Sequence, residues 1–166
     1  MFRNCPLRFS GHGWWGEERL RGVPIQATLF SKVDTFPDWL TYVPNPPHRE
    51  ILTLGISHAR SLYSIEFQYA DGTSSTFGTP HPRSKGTDIP LDHAGGEMIL
   101  GFHVRASEWI DAIKVITNRK RSTWLGHLGS DRVFEMIPPQ GYEIIGLYGR
   151  NGRCCDAFGV IYTTNA

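Results

Sequence analysis

Cysteine is scarce in this chain of 166 residues, which has three, Cys5, Cys154 and Cys155. So low and odd a count excludes a disulfide framework. Adjacent residues on a strand point to opposite faces, so Cys154 and Cys155 are poorly placed to chelate one metal. Buried or half-buried free thiols are the expectation. Excess charge is missing too: 17 Lys and Arg stand against 16 Asp and Glu, a formal charge of +1. With no basic block, a nucleic-acid backbone is not an expected partner. No apolar run reaches the roughly 20 residues that span a bilayer, so membrane insertion is not expected. Residues 1–10 lack the apolar core of a secretory signal, and the expected location is cytoplasmic or reached by unconventional secretion.

Recognisable catalytic motifs are also lacking. The seven histidines, His12, His48, His58, His81, His93, His103 and His127, show no pair four apart beside a glutamate. There is no glycine-flanked serine elbow and no phosphate-cradling loop. Cys154 or Cys155 with a distant histidine would make a nucleophilic pair, but nothing selects one. The expectation is a non-enzyme without cofactor or metal.

What the chain does have is 18 glycines and 11 prolines spread along its length, as many short strands joined by turns require. Phe9-Ser-Gly-His-Gly-Trp-Trp-Gly16 is a glycine- and tryptophan-rich loop. Val23 to Ser31 alternates as a strand does. Phe36-Pro-Asp-Trp39 and Pro44-Asn-Pro-Pro47 bracket a segment read as neither strand nor helix. Thr79 to Asp88 reads as a polar, irregular loop.

From residue 50 the chain repeats itself. A shift of 48 residues lays Ile51-Leu-Thr-Leu-Gly-Ile56 on Ile99-Leu-Gly-Phe-His-Val104, Ile65 on Ile113, Ser74 on Ser122 and Gly78 on Gly126. A shift of 45 pairs Gly101/Gly146, Arg105/Arg150, Asp111/Asp156, Ala112/Ala157, Val115/Val160 and Ile116/Ile161. Chance would supply roughly one such identity over that stretch. Three related units follow, each a strand, a turn, a second strand and a short return strand. Glu108 to Ile116 taken alone fits helical spacing, but its counterpart Ile65–Tyr69 alternates at period two, so the repeat makes it a strand. Three units together bury what one cannot. Their expected core is Leu52, Leu54, Ile65, Phe67, Ile99, Phe102, Ile113, Val115, Phe134, Ile144, Leu147, Phe158 and Val160.

The last unit, Tyr142 to Tyr162, reads as a hairpin whose polar connection holds Gly149, Gly152 and an isolated acid, Asp156. Backbone amides donate and a carboxylate accepts, a combination suited to a polyhydroxylated ligand. A lone aspartate after a turn also caps it by bonding nearby amides, and that bland reading stands beside the first.

In order, Ser64-Ile-Glu-Phe-Gln-Tyr-Ala-Asp-Gly72, Phe77-Gly78, Gly96-Glu-Met-Ile-Leu-Gly101, Ile113-Lys-Val-Ile-Thr-Asn118, Gly126-His-Leu-Gly129, Ile144-Ile-Gly-Leu-Tyr-Gly149 and Asp156-Ala-Phe-Gly-Val160 resemble the jacalin-related lectins over roughly residues 50–163. The resemblance implies an all-β fold, a β-prism of three four-stranded Greek-key antiparallel sheets with pseudo-threefold symmetry. It implies one jacalin-like domain over residues 1–166, with an N-terminal loop and insertion at about 1–49. It implies carbohydrate binding without catalysis, cofactor or metal, and glycans or glycoproteins as partners. The family's Gly-x-x-x-Asp motif stands here as Gly152-Arg-Cys-Cys-Asp156. By that likeness Asp156 accepts from two adjacent sugar hydroxyls and the amides of Arg153 and Cys154 donate. Gly11-His12-Gly13 is the nearest match to the family's N-terminal glycine loop, and Trp14 or Trp15 would add apolar contact.

Departures from the family are as informative. Arg153, Cys154 and Cys155 occupy a spacer where the family often has an aromatic residue, and about 30 residues from Glu17 to Glu50 intervene before the repeat. The second unit has Ser107-Glu-Trp-Ile-Asp111 at the motif position, without the leading glycine. The first unit, Ala59-Arg-Ser-Leu-Tyr63, has no acid. Mannose- or glucose-type glycans are implied over galactose, because the chain reads through Gly11 uninterrupted. A homo-oligomer is expected from the general need of weak lectin sites for avidity. The alternative is a protein-interaction module on the same fold with a vestigial sugar pocket, anchored through exposed tryptophans.

Overall fold

The computed structural model describes residues 7–8, 41–43, 50–106, 109–129, 132–151 and 155–164. β-branched and aromatic residues suit a pleated, half-buried surface, and the runs rich in them are strands. In chain order these are β1 (Leu7–Arg8), β2 (Thr41–Val43), β3 (Ile51–His58), β4 (Leu62–Tyr69), β5 (Ser74–Gly78) and β6 (Lys85–Pro90). After a 3-10 turn at His93–Gly95 come β7 (Ile99–Ala106), β8 (Ile110–Thr117), β9 (Leu125–Gly126), β10 (Val133–Met136), β11 (Tyr142–Asn151) and β12 (Cys155–Thr164).

They form three four-stranded antiparallel sheets, ordered β5-β4-β3-β6, β9-β8-β7-β10 and β1-β12-β11-β2. In the first two, three hairpin-linked strands are followed by a fourth that returns beside the first, which is Greek-key connectivity. In the third, strands from the start of the chain take the two outer places. Each sheet turns an apolar face to one shared core, which includes Leu54, Phe67 and Phe77 from the first, Phe102, Val104 and Ile113 from the second, and Ile144, Leu147 and Val160 from the third. Burying each such side chain stabilises the fold by about 1.5–3 kcal/mol.

The three central hairpins share two irregularities. In β3–β4, Ile51 faces Tyr69 and Thr53 faces Gln68, leaving Leu52 as an extra residue. Leu100 and Ile145 are skipped in the same way in β7–β8 and β11–β12. The repeat read from the sequence is thus also a repeat of β-bulges.

Those bulges and the sheet edges correct several expectations. Leu52, expected in the core, is 42% exposed because its bulge breaks the alternation. Phe134 is only partly buried against the core. Residues 85–88, expected in an irregular loop, belong to β6, whose ladder is supplied by β3; Gly86 and Pro90 are tolerated because β6 is an edge strand. The segment between the two proline clusters contains β2, a short edge strand on β11. Gly149 and Asp156, expected in the last connection, lie within β11 and β12. Val23–Ser31 lies outside the described residues, and the burial of Phe158 is likewise not described.

Candidate functional site

A second bulge sits where each central hairpin leaves its turn. In β11–β12, Arg150 faces Ala157 and Asn151 faces Cys155, so Asp156 has no opposite residue. In β7–β8, Arg105 faces Ala112 and Ala106 faces Ile110, so Asp111 is the extra residue. In β3–β4, Ser57 faces Ser64 and His58 faces Leu62, and the extra residue is Tyr63. A bulge re-aims the side chain it carries and bends the strand. The repeat therefore places Tyr63, Asp111 and Asp156 at one structural position, the second residue of the hairpin's second strand.

Of the residues expected at the principal site, Gly11, Gly13, Gly152, Arg153 and Cys154 lie outside the described residues, as do Trp14 and Trp15. Asp156 is described as part of β12. Its neighbour Cys155 is fully buried, and its Sγ donates to the Tyr63 carbonyl at 3.3 Å. The base of this hairpin is thereby tied to the bulge of the first unit.

The two complete return strands show how such a position is built. Gly78 of β5 and Gly126 of β9 have positive φ, 85° and 128°. A Cβ on Gly78 would lie 2.3 Å from the Tyr63 carbonyl oxygen, and one on Gly126 would lie 2.2 Å from that of Asp111. These glycines let the return strand press against the bulge. The residue after each then donates its amide to that same carbonyl, Thr79 to Tyr63 at 3.2 Å and His127 to Asp111 at 2.9 Å.

What occupies the position differs between units. In the first, the Tyr63 ring stacks on His81 with centroids 5.0 Å apart, and no carboxylate is present. In the second, Asp111 is 5% exposed and lines a cavity of about 520 Å³ with Trp109, His127, Arg60 and Ser61. Sequence reading had singled out Asp111 but not Arg60, Ser61 and His127 as its companions. Arg60 and Ser61 come from the turn of the neighbouring unit, a juxtaposition without a sequence signal. His127 had one, the repeated glycine before it.

Other ionisable clusters are structural. Glu97 accepts from the Asp92 amide at 3.0 Å and the Thr117 hydroxyl at 2.8 Å, with Lys120 at 3.6 Å. Among the described residues, no group of three or more His, Cys, Asp or Glu is placed to hold a metal ion.

The fold is found in solved lectins. A Malaysian banana lectin superposes with a TM-score of 0.66 at 21% identity, over 84% of this chain and 99% of that one. A mannose-binding jacalin-related lectin from Ananas comosus gives 0.64 at 20% identity, over 83% and 98%. Calsepa lectin in complex with a biantennary N-glycan gives 0.64 at 19% identity, over 86% and 99%. Two curated yeast relatives are each named "putative zinc metalloproteinase". The Schizosaccharomyces pombe protein is 31% identical over 65 residues, 39% of this chain and 11% of its own length. The Saccharomyces cerevisiae protein is 41% identical over 83 residues, 49% of this chain and 12% of its own length. The present chain thus matches only about a tenth of those proteins. The profile of the Jacalin-like lectin domain matches residues 44–161, well over half of the sequence. The chain belongs to the jacalin-like lectin domain family.

Proposed function

We propose that this chain is a non-catalytic carbohydrate-binding module that takes mannose- or glucose-type glycans at the Gly152–Asp156 loop. The observation that carries the reading is the position of Asp156. It is the extra residue of a bulge next to a hairpin turn, in a chain whose family is that of jacalin-like lectins. There a carboxylate accepts from two adjacent hydroxyls, while the amides of Arg153 and Cys154 donate and Gly11 and Gly13 close the pocket. The three sheets form the faces of a β-prism with pseudo-threefold symmetry, and residues 1–166 form one domain. Single sites of this kind bind weakly, so the working form is a homo-oligomer or a module of a longer, multivalent chain.

A glycan array probed with wild type and Asp156→Ala tests this reading. Mannose-type binding that falls at least about tenfold in the variant, with its melting temperature unchanged, is expected. Retention of binding by Asp156→Ala would move the site elsewhere. Silence from both folded proteins would favour a second reading, a protein-interaction module. That reading draws on the spacer Arg153-Cys154-Cys155, which lacks the aromatic residue often found in the family.

A further inference from the structure

Equivalent rows of side chains on the outer faces of the first two sheets carry opposite charge. On the first sheet, Thr76, Glu66, Gly55 and Asp88 lie side by side across β5, β4, β3 and β6. They alternate with the core residues Phe77, Phe67, Leu54 and Ile89, and so face away from the core. A Cβ on Gly55 would stand 3.4 Å from Asp88 Oδ1 and 3.6 Å from Glu66 Oε1, so two carboxylates share one bare notch. The notch belongs to a cavity of about 150 Å³ lined also by Ser57, Ser64 and Thr76, a size that takes a benzene-sized group. Gln68 donates to Glu66 at 2.7 Å. Among the described residues neither carboxylate has a cationic partner.

The shift of 48 residues turns Thr76, Glu66 and Gly55 into Trp124, Lys114 and His103, and Glu135 of β10 completes the row beside His103. Arg105 Cζ and Lys114 Nζ lie 4.7 and 5.1 Å from the centroid of the Trp124 ring. Arg121 is exposed and bridges to Ile116, which alternates with the core residue Val115, so it shares this face. Glu135 is 3.5 Å from His103 Nε2, while Lys114 and Arg121 have no ion pair among the described residues. Three basic side chains thus stand against Glu135 here, where the row of the first sheet holds two carboxylates and no base.

We propose that copies of this chain associate head to tail, the acidic outer face of the first sheet of one copy against the basic outer face of the second sheet of the next. Lys114 and Arg105 meet Glu66 and Asp88, and the Trp124 ring that carries them seats over Gly55, where no side chain stands in the way. Like faces repel and unlike faces pair, which fixes the partner face. Because the two patches differ, the contact is heterologous and each copy holds two neighbours. It uses neither Asp156 nor the loop before it, so it goes beyond the carbohydrate reading and is tested separately from it.

The test is sedimentation velocity of the full chain at about 50 mM and about 500 mM sodium chloride. Wild type should associate beyond a dimer at low salt and at least about tenfold more weakly at high salt, because exposed charges are screened. Glu66→Lys and Lys114→Glu should each weaken association at least about tenfold. Their equimolar mixture should restore it, because each reversed row then meets its opposite. Asp88→Lys and Arg121→Glu, on exposed side chains, repeat the cross where a central variant does not melt as wild type does. A wild type that stays monomeric at low salt up to about 1 mM would overturn the proposal. So would reversals that leave association unchanged, or a mixture of folded variants that fails to restore it. Association lost on adding EDTA would also overturn it, placing a divalent cation at the two carboxylates instead of a second copy. Glycan-array binding that persists through any of these outcomes leaves the proposed function standing.

Discussion

Two residues decide whether a carboxylate can sit at a bulge in this fold, the bulge residue itself and the glycine that faces it. Gly126 has a φ of 128° and no room for a Cβ against the Asp111 carbonyl. Gly126→Ala should therefore cost about 1–3 kcal/mol, read as a fall of several degrees in melting temperature. Gly86 on β6 has open space around it and no positive φ. Gly86→Ala should stay within about 0.5 kcal/mol of wild type. Equal losses in the two variants would remove the link between glycine and bulge. The identity of Gly78 and Gly126 across the repeat was legible in the sequence. Its reason was not, because a carbonyl 2.2 Å from an absent Cβ is a property of two strands already paired.

At the scale of elements, the hairpins need an anchor where one unit passes into the next. Glu97 supplies it between the first and second sheets, bonding the Asp92 amide and the Thr117 hydroxyl. Burial pushes its carboxyl pKa up, but those bonds and the charges of Lys120 and Arg119 outweigh burial and hold it below the ordinary value of 4.5. A carboxyl held low in the folded state stabilises fully above its unfolded value, and that contribution fades as pH falls through the folded value. Glu97→Gln should cost about 1–3 kcal/mol at neutral pH and flatten the loss of stability below about pH 4.5. Urea unfolding at neutral pH and at pH 4 checks both. An unchanged acid limb would place the acid sensitivity in other carboxylates.

For the whole molecule, the histidine of the short 3-10 turn ties the first unit to the third. His93 Nδ1 accepts from the Ile51 amide at 3.0 Å, and Nε2 donates to Glu143 at 3.1 Å. This joins β3 and β11 through the connection that leads to β7. The Glu143 carboxylate raises the imidazole pKa above 6.5, against the opposing effect of burial. A raised value means that the charge pairing with Glu143 is complete below about pH 6.5 and is lost as pH rises through the folded value, whereas the acceptor role of Nδ1 toward the Ile51 amide belongs to the neutral ring. Glu143→Gln should bring the His93 titration back down, as followed by imidazole NMR. A titration unmoved by the substitution would show that Glu143 does not hold the proton.

The sequence by itself determined the architecture. Alternation and a repeat at shifts of 48 and 45 were enough for three related β units, because period-two burial is written locally along each strand. Asp111 and Asp156 emerged as equivalent for the same reason. Only the tertiary structure decided that both are bulge residues and that Leu52 turns outward from a bulge of its own. The ordering of Lys85–Pro90 as an edge strand was settled there too. Register shifts, edge ladders and a cavity walled by Arg60 from the neighbouring unit arise between segments distant in the chain. No local pattern of residues encodes them.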